Sequence, residues 1–259
     1  MIRNKMKKLI NNILAIFNLK LSNLDAFNKL FLNQHNQNII DLISVIKDEL
    51  LSEFVKNIKF SKSQFAQDLF VLSELNFKKK GFFVEFGATN GIDLSNTFLM
   101  EKKYKWTGIL AEPAKQWHDE LLKNRDVFIE KDCVWTDSNI TLNFNEIGEL
   151  STINTFSNSD HYSSERTKGY CYQVKTISLE DLLDKYHAPS VIDYLSIDTE
   201  GSEFEILSAF NFEKYKFKVI TCEHNFTSNR EKIFNFLTKK GYVRKYNNIS
   251  NVDDWYVLR

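Results

Sequence analysis

Cysteine is scarce in this chain: Cys133, Cys171 and Cys222 stand far apart in 259 residues, with no CxxC pair. An odd, scattered set excludes a disulfide framework and a structural zinc site, and it fits a reducing cytoplasm, the expected location. Charge of one sign is lacking as well. Thirty-four basic and 34 acidic residues cancel, so no net field recruits nucleic acid, and none is expected as a partner. The apolar runs are too short to span a bilayer, and no small-residue cleavage site follows the basic N-terminus, so neither a transmembrane segment nor a signal peptide is expected. The phosphate-binding patterns GxGxxG and GxxxxGK followed by Ser or Thr are missing. So is the Asp/Asn-Pro-Pro-Tyr/Phe run that clamps a flipped base. Only two prolines, with much Lys, Asn, Ile and Phe, suit an AT-rich bacterial genome.

What is present describes a folded protein. Hydrophobic residues make up 43% of the chain, and 22 Phe with 10 Tyr supply a core. Residues 1–59 contain no glycine and no proline, and their apolar positions recur at helical spacing. Ile2, Met6, Leu9, Ile10, Ile13, Ile16 and Phe17 share one face, and Ile39, Ile40, Leu42, Ile43, Ile46, Leu50, Leu51 and Phe54 form a second pattern. This stretch is expected to be a helical extension. Packing between copies in a homo-oligomer and weak attachment to a membrane surface both suit it.

Residues 60–259 change character. Ser63 to Leu72 reads as a helix with Phe65, Leu69 and Leu72 inward and Ser63, Gln64, Gln67 and Asp68 on a polar face. Phe82 to Phe86 is a short apolar run bounded by glycines, the pattern of a strand covered on both faces, with Glu85 as its one anomaly. Asp93 or Ser95 can cap a helix to about Lys103. Trp106 to Ala111 makes a second strand stopped by Glu112-Pro113, and a helix from Ala114 to Lys123 leads to a third strand, Val127 to about Lys131. This alternation predicts a parallel, doubly wound sheet with its ligand at the carboxyl ends of the strands. Glu112 follows Gly91 by 21 residues, close to the roughly 20-residue interval at which a second-strand acid meets a ribose. An acid beside the Gly87–Gly91 turn would repel a pyrophosphate but suits an ammonium or a sulfonium. S-adenosylmethionine carries both.

Three runs then carry a family resemblance: Val84-Glu85-Phe86-Gly87-Ala88-Thr89-Asn90-Gly91, Glu112-Pro113, and Leu195-Ser196-Ile197-Asp198-Thr199-Glu200-Gly201-Ser202-Glu203-Phe204-Glu205-Ile206-Leu207. From Ser61 onward the chain resembles S-adenosylmethionine-dependent methyltransferases of the FkbM family. The resemblance implies a Rossmann-like class I methyltransferase fold, an α/β architecture with a seven-stranded, mostly parallel sheet and helices on both faces. It implies that Glu85 holds the amino end of the cofactor and that Gly87, Ala88 and Gly91 wrap it. Glu112 would take both ribose hydroxyls, and Asp132 and Cys133 would border the adenine. The segment with Ser63 and Gln67 resembles a feature preceding the cofactor motif. The family often modifies glycans, so the implied reaction is O-methylation of a sugar hydroxyl. A nucleotide-activated sugar for a bacterial surface polysaccharide is the specific expectation. A catalytically silent subunit of a glycan-synthesis complex is the alternative.

The acceptor side is legible only in outline. Asn139 to Phe144 and Tyr172 to Thr176 read as extra strands joined by a polar link from Ser151 to Tyr170, in which Ser151, His161, Tyr162, Arg166 and Lys168 are candidates to line a substrate site. Ser178 with Asp181 has capping-box spacing. The fourth strand, Ile192 to Ile197, delivers Asp198 as a catalytic and cofactor-side candidate, followed by Glu200 and Glu203. Three acids so close call for a cation, a substrate hydroxyl or a lysine, although a solvated helix start also accounts for Glu203 and Glu205. The fifth strand, Lys218 to Cys222, ends in Glu223-His224-Asn225. Three readings stand. Asp198, Glu223 and His224 hold Mg2+ or another divalent cation, or His224 acts as a metal-free base while Asp198 holds the substrate, or His224 is a buried, hydrogen-bonded histidine. A helix from Arg230 to Lys240, Gly241 and strands Tyr242 to Tyr246 and Trp255 to Leu258 close the sheet.

Overall fold

The computed structural model describes residues 34–259. The expected first helix, through Ile2 and Phe17, lies outside the described residues. The second pattern becomes helix α1 (Gln34–Val45) and helix α2 (Leu51–Asn57). Their apolar faces do not stand apart. Ile39, Leu42, Phe54 and Ile58 share one hydrophobic cluster with Leu69, Phe70, Phe83 and Trp255 of the main body.

Helix α3 (Gln67–Glu74) is shorter than the apolar spacing predicts. Ala66 sits at φ 65, a left-handed conformation that no helix interior accommodates, so the first turn cannot form. Instead Ser61 and Ser63 donate their hydroxyls to Asp68 Oδ1, both at 2.7 Å. Gln67 and Asp68, expected on a polar face, are buried.

Strand β1 (Phe82–Phe86), helix α4 (Phe98–Tyr104), strand β2 (Thr107–Ala111), helix α5 (His118–Asn124) and strand β3 (Phe128–Glu130) follow the expected alternation. Helix α4 starts later than Asp93 or Ser95 would have it. The Ser95 hydroxyl nevertheless accepts the N–H groups of Thr97 and Phe98, at 3.3 and 3.2 Å, and so satisfies two orphan donors of the first turn. The excursion is larger than predicted. Strands β4 (Cys133–Trp135), β5 (Thr141–Glu146) and β6 (Thr152–Ile153), short helix α6 (Ser163–Arg166) and strand β7 (Tyr170–Ser178) make a separate four-stranded sheet in the order β4-β7-β5-β6. Helix α7 (Leu179–Lys185) starts at Ser178, whose hydroxyl accepts the N–H of Asp181. Strand β8 (Val191–Ile197), helix α8 (Glu203–Ala209), strand β9 (Lys216–Glu223), helix α9 (Asn229–Lys239), strand β10 (Tyr242–Lys245) and strand β11 (Asp253–Leu258) complete the chain.

The main sheet has seven strands in the order β10-β11-β9-β8-β1-β2-β3. Strand β11 runs antiparallel to both neighbours, and the other pairings are parallel. Alternate side chains enter opposite layers. Val84, Leu195 and Ile220 face helices α7, α8 and α9, while Phe83, Tyr194 and Val219 face helices α1 to α5. Strands β1 and β8 lie at the centre, where the sequence order reverses, so their carboxyl ends open a crevice.

Candidate active site

A cleft opens at that reversal, lined by the tips of β1, β2, β8 and β9 and roofed by the excursion. Gly87 leaves β1 at φ +73, and a Cβ there would lie 2.2 Å from the backbone oxygen of Asp198. Only glycine lets the β1 turn and the β8 tip come so close.

Glu112 ends β2 as a buried acid. Its Oε1 accepts the N–H of Ala114 and its Oε2 the N–H of Thr89, both at 2.8 Å. Each oxygen keeps a second lone pair, enough for the two hydroxyls of a ribose. Burial raises its pKa to about 7, against the two backbone N–H bonds.

Glu85, expected to hold the amino end of the cofactor, is buried. Its oxygens accept from the Asn96 N–H at 2.7 Å, the Ser95 hydroxyl at 3.1 Å and the Thr97 hydroxyl, and Arg125 Nη1 lies 3.8 Å away. Burial raises its pKa, and Arg125 opposes the shift. Asn96 lies beside it, with Nδ2 donating to Ser196 Oγ at 2.9 Å. Its buried Oδ1 has no donor among the described residues, and Asn96 lines the cleft.

Three carboxylates converge on the acceptor side. One oxygen each of Asp198, Glu200 and Glu223 lies within 4.8 Å of the others. Burial raises Asp198 to about 6. Burial and then the Asp198 charge raise Glu200 to about 9, with Arg166 opposing, and the same two causes push Glu223 well up. Arg166 Nη2 binds Glu200 Oε2 at 2.6 Å, and Asn225 Nδ2 reaches the same oxygen at 3.2 Å. Glu223 Oε2 is buried with no hydrogen-bond partner among the described residues. Hard oxygen donors and their mutual repulsion fit a divalent cation.

His224 is not brought to this cluster. Its Nδ1 accepts the N–H of Phe226 at 3.0 Å. A neutral ring therefore carries its proton on Nε2, which lies 3.7 Å from Asp254 Oδ1. Burial lowers its pKa to about 4. The tight turn after β9 aims the ring away from the cleft, and Glu200 stands in the place the sequence reading gave to the histidine.

Of the other expected site residues, Gln67, Glu85, Gly87, Glu112, Cys133 and Asp198 line the cleft, together with Ser151 and Tyr162 of the excursion. Ser63, Ala88, Gly91 and Asp132 support from behind. Ser63 binds Asp68, and Ala88 is buried in the core. Gly91 packs against Leu121 and Arg125, and the Asp132 N–H bonds Glu130 at 3.1 Å. Gln67 donates to Asp253 Oδ2 at 2.7 Å, and burial raises Asp253 to about 8. Sequence reasoning missed Asn96, and it grouped Glu200 with Asp198 and Glu203 rather than with Asp198 and Glu223. The spacing of Ser95-Asn96-Thr97 from Glu85 was the available signal for the first. Glu203, by contrast, is no solvated helix start, since its Oε1 accepts the N–H groups of Thr199 and Gly201, both at 3.0 Å.

A family model described as the methyltransferase FkbM domain matches residues 85–244, more than half of the chain. Among solved structures, the chain is similar to Methyltransferase FkbM from Methylobacillus flagellatus KT, at 12% identity and a TM-score of 0.48, covering 85% of this chain and 58% of that one. It is also similar to precorrin-6y C5,15-methyltransferase from Geobacter metallireducens GS-15, at 13% identity and a TM-score of 0.40, covering 77% of this chain and 89% of that one. No curated protein matches. With the family model spanning both the Glu85 turn and the Asp198–Glu223 strand tips, the chain belongs to the FkbM methyltransferase family.

Proposed function

We propose that the protein transfers a methyl group from S-adenosylmethionine to a hydroxyl oxygen of a sugar. The observation that carries the reading is the pairing of Glu112, with one lone pair to spare on each oxygen, and Asp198 across one cleft. Glu112 binds the ribose hydroxyls. Gly87 lets the chain approach the cofactor, and Cys133 and Val134 lie along the cleft wall nearest β3. When bound, S-adenosylmethionine supplies an electrophilic methyl on its sulfonium.

The acceptor oxygen must approach in line with the methyl–sulfur bond, so positioning and proton removal are what the chain contributes. Asp198 is the base in this reading. It lines the cleft, and a pKa raised to about 6 by burial, against a side-chain hydrogen bond with Glu223, suits proton transfer near neutrality. The hydroxyl proton passes to Asp198 as the carbon–oxygen bond forms and the carbon–sulfur bond breaks. Asp198, Glu200 and Glu223 would hold a divalent cation, whose chemistry would be to orient the acceptor and lower its hydroxyl pKa.

The cleft lining contains seven acids and no lysine, arginine or histidine. It therefore supports an acceptor that presents an uncharged or cationic part. A nucleotide-activated sugar destined for surface polysaccharide would have to keep its phosphates outside.

The test is incubation with methyl-labelled S-adenosylmethionine and a panel of sugar acceptors, with and without EDTA. Label should enter a methyl ether, and Asp198→Asn should lower kcat about 100-fold or more. Transfer to nitrogen or carbon would refute the hydroxyl acceptor, and full activity after thorough chelation would remove the cation.

A further inference from the structure

A second cavity lies beyond Glu223 and Asn225, which line both it and the cleft. Its volume is about 210 Å3. Its walls come from the turn into α8, from the segment between β9 and α9, and from the excursion, which contributes Phe156, Ser159 and Asp160. Four carboxylates line it, and no lysine or arginine does.

Two of those acids are already answered. Asp160 receives both terminal nitrogens of Arg166, at 2.8 and 3.0 Å, and Glu203 takes two backbone N–H groups. The other two are not. Glu205 Oε2 and Glu223 Oε2 are buried without a hydrogen-bond partner among the described residues. Glu223 is only 7% exposed, and a carboxyl oxygen so buried is costly unless a donor reaches it. Ser159, Ser228 and Asn229 add hydroxyls and an amide around the same space.

The missing partner is a donor, and the acidic walls require it to carry positive charge or none. A metal ion at Glu205 is disfavoured, because the described carboxylates that close to metal-binding distance are Asp198, Glu200 and Glu223, without Glu205. An ammonium group carries three N–H donors, enough to serve more than one carboxyl oxygen.

We propose that the second cavity anchors the methyl acceptor through a protonated primary amine, so that the acceptor is an amino sugar, or another amino alcohol, with no phosphate on the bound unit. The amine sits between Glu205 and Glu223, and a hydroxyl of the same molecule extends past Glu223 to Asp198. This deepens the methyltransferase reading and rests on it.

Calorimetric titration tests it, run with and without S-adenosylhomocysteine on the full chain. The probes are a glucosamine tetrasaccharide, its N-acetylated counterpart and UDP-N-acetylglucosamine. The amine-bearing probe should bind, N-acetylation should weaken it about tenfold or more, and Glu205→Gln should do the same while S-adenosylhomocysteine affinity reports an intact fold. Equal binding of the N-acetylated probe, tighter binding of the nucleotide sugar, or no binding of the amine would overturn the proposal. A protein that binds the amine but not S-adenosylhomocysteine would instead sink the cofactor reading.

Discussion

Replacing Arg166 by leucine removes a guanidinium that ties the excursion to Glu200, just beyond the tip of β8. Arg166 is 2% exposed. It holds Asp160 through two bonds, Glu200 through one of 2.6 Å, and the Leu150 carbonyl through one of 3.0 Å. Removing one partner of a buried ion pair costs about 3–5 kcal/mol, because the opposite charge is left without compensation. In a chain of this size that is about 6–20 °C in Tm. Glu200, already raised to about 9 by burial and Asp198, would stay protonated, which leaves Asp160 as the uncompensated charge. Arg166→Leu with Asp160→Asn should therefore recover about 2 kcal/mol relative to the sum of the single variants. Urea denaturation of all four proteins provides the numbers. A single-variant loss below about 1 kcal/mol, or an additive double variant, would refute the reasoning.

Gly87→Ala should be destabilising by at least about 2 kcal/mol, since left-handed backbone alone costs alanine roughly 1–2 and its Cβ would sit 2.2 Å from the Asp198 carbonyl oxygen. An unchanged Tm would count against the close approach of β1 and β8. Apo stability should also fall as pH rises from 6.5 to 9. Burial raises Glu112 from 4.5 to about 7 and Asp253 from 3.8 to about 8. Each favours the folded state while protonated, an advantage complete below the unfolded pKa and lost as pH passes the folded one. His224 acts in the opposite sense, but only between about 4 and 6.5. Over the chosen window the two acids together are worth on the order of 3 kcal/mol. Melting curves that rise over that range would contradict the burial of both.

The alternation of strands and helices was legible because Phe82–Phe86 and Thr107–Ala111 are short apolar runs with glycine or proline at their ends. The carboxyl-end location of Glu112 and Asp198 followed from it. Conformations set by tertiary contact were not legible. The apolar spacing from Phe65 to Leu72 suggests a full helix, yet Ala66 is held left-handed while Ser61 and Ser63 bind Asp68. His224 looks like a strand-tip base, but the Phe226 amide two residues on takes its Nδ1. Glu85 reads as a ligand for a cation, whereas the chain itself supplies most of its donors from Ser95, Asn96 and Thr97. Arg166 meets Glu200 across 34 residues of sequence, a distance over which no local pattern operates.

The cleft between Glu112 and Asp198 is the proposed S-adenosylmethionine site. Calorimetric titration of the purified protein should show one equivalent bound, with affinity reduced about 100-fold or more in Glu112→Ala, since two hydrogen bonds to a charged group are lost. Absence of binding, or binding that Glu112→Ala leaves intact, would contradict it.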